Sequence, residues 1–166
     1  MDVVRSAIAR LGGQVEVASR PGEGTRITLR VPFAVMMSRV MTIEAGGQIF
    51  GLPLEAVVET VRLPRERILQ VGAAEAFVVR ERTVPLVNLS AALGLPLEAR
   101  SRQANMVIIT VAGQLAALEV DRFGEQLDVM MKPLEGLLAG LPGIAGTTLL
   151  GDGRVLIVLD VQDLFQ

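Results

Sequence analysis

The chain has 166 residues, 51% of them hydrophobic, and a formal net charge of −2. That length suits one domain or two small ones with a proper core, and the near-neutral charge gives no reason to expect a nucleic-acid partner. There is no Cys and no His, which removes disulfides, thiolate and imidazole metal sites, and nucleophile–base pairs built on either residue.

Residues 2–11 read as a short helix, with Val3, Val4, Ala7, Ile8 and Leu11 on one face at helical spacing. Asp2 can cap its start, and Gly12-Gly13 stops it, because glycine tolerates the left-handed conformation that closes a helix. Residues 14–19 and 25–31 alternate as strands around Pro21-Gly-Glu-Gly24. That is a β-hairpin with Ile27, Leu29 and Val31 facing one way, ended by Pro32. From residue 34 the texture changes to short strands spaced by Gly and Pro. Strands are expected at 35–44, 48–52, 59–62, 76–80 and 84–86, with one helical turn over 89–93 before Gly94. Residues 97–105 are the most polar stretch and read as a linker. Strands resume at 106–112, 115–120, 125–131 and 154–159, with a short helix over 133–140 and turns at 142–146 and 151–153. Many short strands of this kind point to a barrel or sandwich, and closing about five strands per barrel would remove their exposed edges.

No apolar run reaches the ~18 residues of a membrane helix, so no membrane insertion is expected. Met1-Asp2 opens directly into an amphipathic segment, without the pattern of a signal peptide. The carboxylates are scattered and form no obvious acid–base pair, so the chain reads as a binding module. Gly22-Glu-Gly24 reads as a hairpin turn, since no helix N-terminus follows to hold a phosphate. Gly151-Asp-Gly153 carries too few carboxylates for Ca²⁺. Arg62-Leu-Pro-Arg65-Glu-Arg67 is either a recognition patch or a solvated loop. In the pairs Met36-Met37 and Met130-Met131, strand alternation buries one methionine and leaves the other open.

The chain also repeats itself. Residues 48–59 align without a gap on 114–125, an offset of 66, with Ile49/Leu115, Leu52/Leu118, Leu54/Val120 and Val57/Phe123 matched. Residues 82–89 align on 154–161, an offset of 72. Two copies of one unit follow, roughly 34–100 and 101–166. Residues 40–62 and 106–128 should therefore share one fold, with Leu52 and Leu118 at equivalent buried positions.

Several stretches are then familiar. Phe50-Gly-Leu-Pro-Leu-Glu-Ala-Val-Val-Glu-Thr-Val61, Val84-Pro-Leu-Val-Asn-Leu89, Met131-Lys-Pro-Leu134 and Gly143-Ile-Ala-Gly-Thr-Thr-Leu-Leu-Gly-Asp-Gly-Arg-Val155 resemble the CheW-like regulatory domain of the CheA family of chemotaxis histidine kinases. Met1-Asp-Val-Val4 and residues 12–32 resemble the closing helix and hairpin of a histidine-kinase ATPase domain, which favours the kinase over the free adaptor CheW. The resemblance implies an ATPase remnant over 1–33 and a CheW-like domain over 34–166. It implies a mainly β fold of two five-stranded Src-homology-3-like barrels related by a pseudo-twofold axis. The implied role is cytoplasmic: coupling the kinase to the adaptor CheW and to the tip of the chemoreceptor at receptor arrays. The partners would be those two and the rest of the kinase.

The asparagine, aspartate and glycine boxes of the ATPase are absent, so ATP and Mg are expected only in a longer parent, and no catalysis here. Thr25, near the nucleotide in the family, is a vestigial position. The alternatives are a free-standing CheW-like adaptor and an ATPase fragment that keeps a weak nucleotide contact. In the family a Glu and an Arg at the positions of Glu59 and Arg80 pair across the barrel surface near the partner contacts. Arg62 belongs to the same partner-binding set. Val71, in a loop, and Met106, at a strand's entry, lie near the family's apolar adaptor contact. Both are expected to be accessible enough that Val71→Asp and Met106→Asp leave the fold intact.

Overall fold

The computed structural model describes residues 2–10, 13–31, 36–136 and 139–165. They divide into two compact units, Met1–Met36 and Met37–Gln166. Leu11, Gly12, the 33/34 boundary, and Leu137 and Leu138 of the expected 133–140 helix lie outside the described residues.

In the first unit, helix α1 (Asp2–Arg10) precedes the hairpin of β1 (Gln14–Arg20) and β2 (Gly24–Arg30). Gly13 N–H donates to the Ile8 carbonyl at 2.9 Å and closes the helix. A Cβ on Gly13 would meet the Arg30 carbonyl oxygen at 2.5 Å, so the close approach of helix and hairpin requires glycine. The register pairs Val15 with Leu29 and Val17 with Ile27. These four residues share one apolar face, as strand alternation dictates; Val17, Ile27 and Leu29 are about half exposed.

The second unit is two sheets. The strands are β3 (Met36–Ala45), β4 (Gln48–Pro53), β5 (Val57–Pro64), β6 (Leu69–Val71), β7 (Ala74–Val79), β8 (Arg82–Asn88), β9 (Gln103–Val111), β10 (Gln114–Val120), β11 (Arg122–Met131), β12 (Ile144–Leu149) and β13 (Val155–Leu159). One sheet has the order β5-β9-β10-β8-β7-β6 and the other β11-β3-β4-β13-β12. The short helix α2 (Leu89–Ala92) follows β8, its start capped by the Asn88 side chain, which accepts from Ala91 N–H at 3.0 Å.

The repeat is visible in the ladders. Met41 pairs with Leu52 in β3–β4, and Val107 with Leu118 in β9–β10, the same register 66 residues on. Gly51 faces Val158 in the parallel β4–β13 pair, and Ala117 faces Leu86 in the parallel β10–β8 pair. These pairings run across the repeat. Each copy's leading hairpin completes the sheet of the other copy, so the sheets do not follow the 34–100 and 101–166 division. They hold six and five strands rather than five each. The five-stranded sheet meets itself at one bridge, where Lys132 and Thr147 exchange backbone hydrogen bonds of 2.8 and 2.9 Å.

Among the described residues three apolar clusters result. Val40, Val129, Leu156 and Val158 fill the five-stranded sheet. Leu63, Phe77, Val84, Leu86, Met106 and Ile108 fill the six-stranded one. The largest lies between the sheets and contains Met41, Ile43, Phe50 and Leu52 with their counterparts Val107, Ile109, Ala116 and Leu118. Leu52 and Leu118 are both fully buried, as the repeat requires.

Some local expectations are corrected. Residues 103–105 belong to β9, so the irregular linker ends at 102. β6 was not expected. β12 occupies much of the 142–146 turn; Gly146 there serves a close approach, since a Cβ would meet the Lys132 carbonyl oxygen at 2.7 Å. Residues 133–135 carry no regular structure, and Gly136 and Gly140 both have positive φ, which interrupts the expected helix.

Candidate functional site

The partner-binding residues expected from sequence are dispersed over the second unit. Glu59 lies on β5, and Arg80 at the two-residue turn between β7 and β8. Arg80 and Glu81 have φ of 46° and 65°, as a tight hairpin demands. The turn aims the Arg80 guanidinium back at β5, where Nη2 donates to Glu59 Oε2 at 3.1 Å. The pair is partly exposed. Three residues on, the Arg62 guanidinium sits 5.8 Å from the centroid of the Phe123 ring, on β11, an edge strand of the five-stranded sheet. That is cation–π range.

Val71 ends β6, at the edge of its sheet, and is 57% exposed. Met106 corrects its expectation: it is fully buried in the core of the six-stranded sheet. The reason is that β9 lies between β5 and β10 and is covered on both faces. Ala104, Met106 and Ile108 point into one cluster, and Val107 and Ile109 into another. Nearness to a polar linker does not expose a central strand. Val71 and Met106 therefore form no common surface centre, and Met106→Asp is not a fold-neutral substitution. Thr25 is exposed on the hairpin of the first unit, its hydroxyl 3.0 Å from that of Ser19 across the strands.

The arginine run of 62–67 divides. Arg65 is the partly buried member: Nη2 donates to Glu119 Oε1 at 2.5 Å and Nε to the Ser101 carbonyl at 3.1 Å. Glu119 also accepts from Asn88 Nδ2 at 3.2 Å. This network lines a polar pocket of about 90 Å³ and pins the linker against the sheet. The clue in the sequence was Glu119 itself, a charge inside Leu-Ala-Ala-Leu-Glu-Val where the other copy has Pro53. Two surface pairs fix exposed turns and strands. Hydrogen bonding to Asp128 raises the Arg39 pKa, and the Arg154 backbone N–H, then its guanidinium, hold Asp152 below the ordinary aspartate range. In the methionine pairs, Met37 and Met130 are exposed and Met131 is half-buried. Among the described residues no group of acidic side chains is placed to hold a metal ion, and no helix is long and apolar enough to cross a membrane.

The family model described as the CheW-like domain matches residues 39–166. The chain belongs to the CheW-like domain family. It is 38% identical over 164 residues to the chemotaxis protein CheA of Halobacterium salinarum, an alignment covering 99% of this chain and 24% of that protein. It is 36% identical over 166 residues to CheA of Cereibacter sphaeroides, covering 98% of this chain and again 24% of the relative. The chain thus spans about a quarter of the length of these curated relatives. The crystal structure of the scaffolding protein TtCheW from Thermoanaerobacter tengcongensis superposes with a TM-score of 0.68, over 79% of this chain and 94% of that one, at 19% identity. That likeness establishes the fold.

Proposed function

We propose that this CheW-like domain is the regulatory, coupling region of a chemotaxis histidine kinase, binding an adaptor of the CheW type and the tip of a chemoreceptor. One observation carries the reading. The alignments to CheA run through nearly the whole chain and so include the helix and hairpin of the first unit, whereas the scaffold protein's match covers 79% of it. The half-exposed apolar face of that hairpin supports its reading as part of a larger kinase domain. In this reading the chain works by contact and the ATP chemistry resides elsewhere in the parent. The Thr25 hydroxyl has the Ser19 hydroxyl as its partner across the hairpin.

Calorimetry against an adaptor of the CheW type and a receptor-tip peptide tests the reading. Binding is expected for both, and Val71→Asp should weaken the adaptor at least tenfold, about 1.4 kcal/mol, with an unchanged circular dichroism spectrum. Titration with a non-hydrolysable ATP analogue should give no heat. Absence of binding to both proteins, or heat with the analogue, overturns it.

A further inference from the structure

The six-stranded sheet ends in two free edges that face one groove. β5 has β9 on one flank and, among the described residues, no strand on the other. β7 is flanked by β8 from Glu75 to Val79 but by β6 only as far as Ala76, which leaves 77–79 without a second strand among the described residues. The groove has a volume of about 240 Å³; Leu63 and Phe77 form its buried floor, and Arg62, Arg67 and Arg80 its rim. Among the described residues no carboxylate lines it, and the neighbouring Glu59 is already engaged by Arg80. Arg67 is exposed and has no ion pair among the described residues.

In the other half the two end strands are joined near this place by the Lys132–Thr147 bridge. Here the residue matching Lys132 is Glu66, in the 3-10 turn Arg65–Arg67, which carries the chain off the line of β5 after Pro64. Glu75, the residue matching Thr147, pairs instead with Gln70 of β6, and the stretch of β7 beyond β6 is left facing β5 without a bridge among the described residues.

We propose that this seam binds an extended segment of a partner protein in which carboxylate and aliphatic side chains alternate. Unpaired strand edges are templates for an added strand, and backbone hydrogen bonds to them supply affinity without sequence preference. Specificity then follows from the pleat. Successive side chains of the added strand point oppositely, so one set packs on the half-buried Val61 and Val79, above Leu63 and Phe77, while the other meets the guanidinium rim. Carboxylates suit that rim because Arg presents paired N–H donors in their geometry. The segment's chemistry is set by the groove, whether its owner is the adaptor, the receptor or another protein.

The test uses the whole 166-residue chain, ¹⁵N-labelled, and three capped peptides: Glu-Val-Glu-Val-Glu-Val, Lys-Val-Lys-Val-Lys-Val, and the acidic peptide with N-methylated valines. The acidic peptide should shift amides of residues 61–63 and 77–80. It should bind at least about tenfold more tightly than either of the others. Arg67→Glu, at an exposed position outside the core, should cost about the same factor while leaving the spectrum of the remaining residues unchanged. Equal binding of acidic and basic peptides, shifts confined to other surfaces, no binding at millimolar peptide, or an unchanged affinity in Arg67→Glu would each overturn the proposal.

Discussion

Where the five-stranded sheet meets itself through two backbone hydrogen bonds between Lys132 and Thr147, the six-stranded sheet joins β5 to the β7–β8 turn with side chains, Arg80 to Glu59. The same contrast recurs at the bulges. In one half the ladder slips between Val57 and Glu59. In the other, Thr42 settles the matching corner with its hydroxyl, accepting from Glu125 N–H at 2.8 Å and donating to the Glu125 carbonyl at 3.1 Å beside Gly124. The buried Glu119 with its partners Arg65 and Asn88, in the six-stranded half, is matched by Pro53, Met131 and Asp160 in the five-stranded half. Apolar burial fixes a shared strand framework, and each half fastens it with different chemistry. The half fastened by side chains is the half with an open seam and the exposed Val71.

The largest effects should treat the halves alike. Met106→Asp and its counterpart Val40→Asp each place an unpaired charge in a sealed core. Each should cost about 3–5 kcal/mol, much of a domain's stability; urea denaturation in which only one variant unfolds would show that the halves are built unequally. Leu52→Ala and Leu118→Ala should each cost about 2–5 kcal/mol, and calorimetric melting should give similar losses, since both leucines lie in the cluster between the sheets. The next substitution should separate the halves. A Cβ at Gly124 would lie 2.0 Å from Thr42 Oγ1, so Gly124→Ala should cost about 1–3 kcal/mol. The matching Val58→Ala, at an exposed position, should stay within about 0.5 kcal/mol. Comparable melting points for these two would erase the distinction drawn at the bulges. Smallest is the Glu59–Arg80 pair: a double-mutant cycle should give a coupling of about 0–1 kcal/mol, because both side chains are partly exposed. Coupling near zero in both stability and adaptor affinity would leave the pair as surface decoration.

The fold was legible in the sequence wherever one copy vouched for the other. The gapless 66-residue offset placed Leu52 and Leu118, and the 72-residue offset aligned β8 with β13. Pairing across copies was not legible, because identical hairpins fit either sheet and the repeat carries no label saying which. Met106 was misplaced for a related reason: a strand covered on both faces shows no alternation from which exposure can be read. Gly146 was taken for a turn because glycine marks both turns and close backbone approaches. Of the candidate site, Glu59–Arg80 followed from the resemblance. The groove beside it depends on where β6 ends, which three residues of weak pattern do not announce.

The exchange of leading hairpins means that the chain cannot be halved at its linker. Cut near residue 100, each fragment keeps a hairpin that has lost its sheet and a set of strands that has lost its hairpin. The only surface that completes a fragment belongs to the other copy or to a second molecule of itself. That is the arrangement of a domain-swapped dimer, here written into one polypeptide. Fusion makes the swap obligatory and independent of concentration, and it frees the two copies to diverge. One copy could keep a closed seam and the other an open one without any risk of two open seams meeting in the same particle.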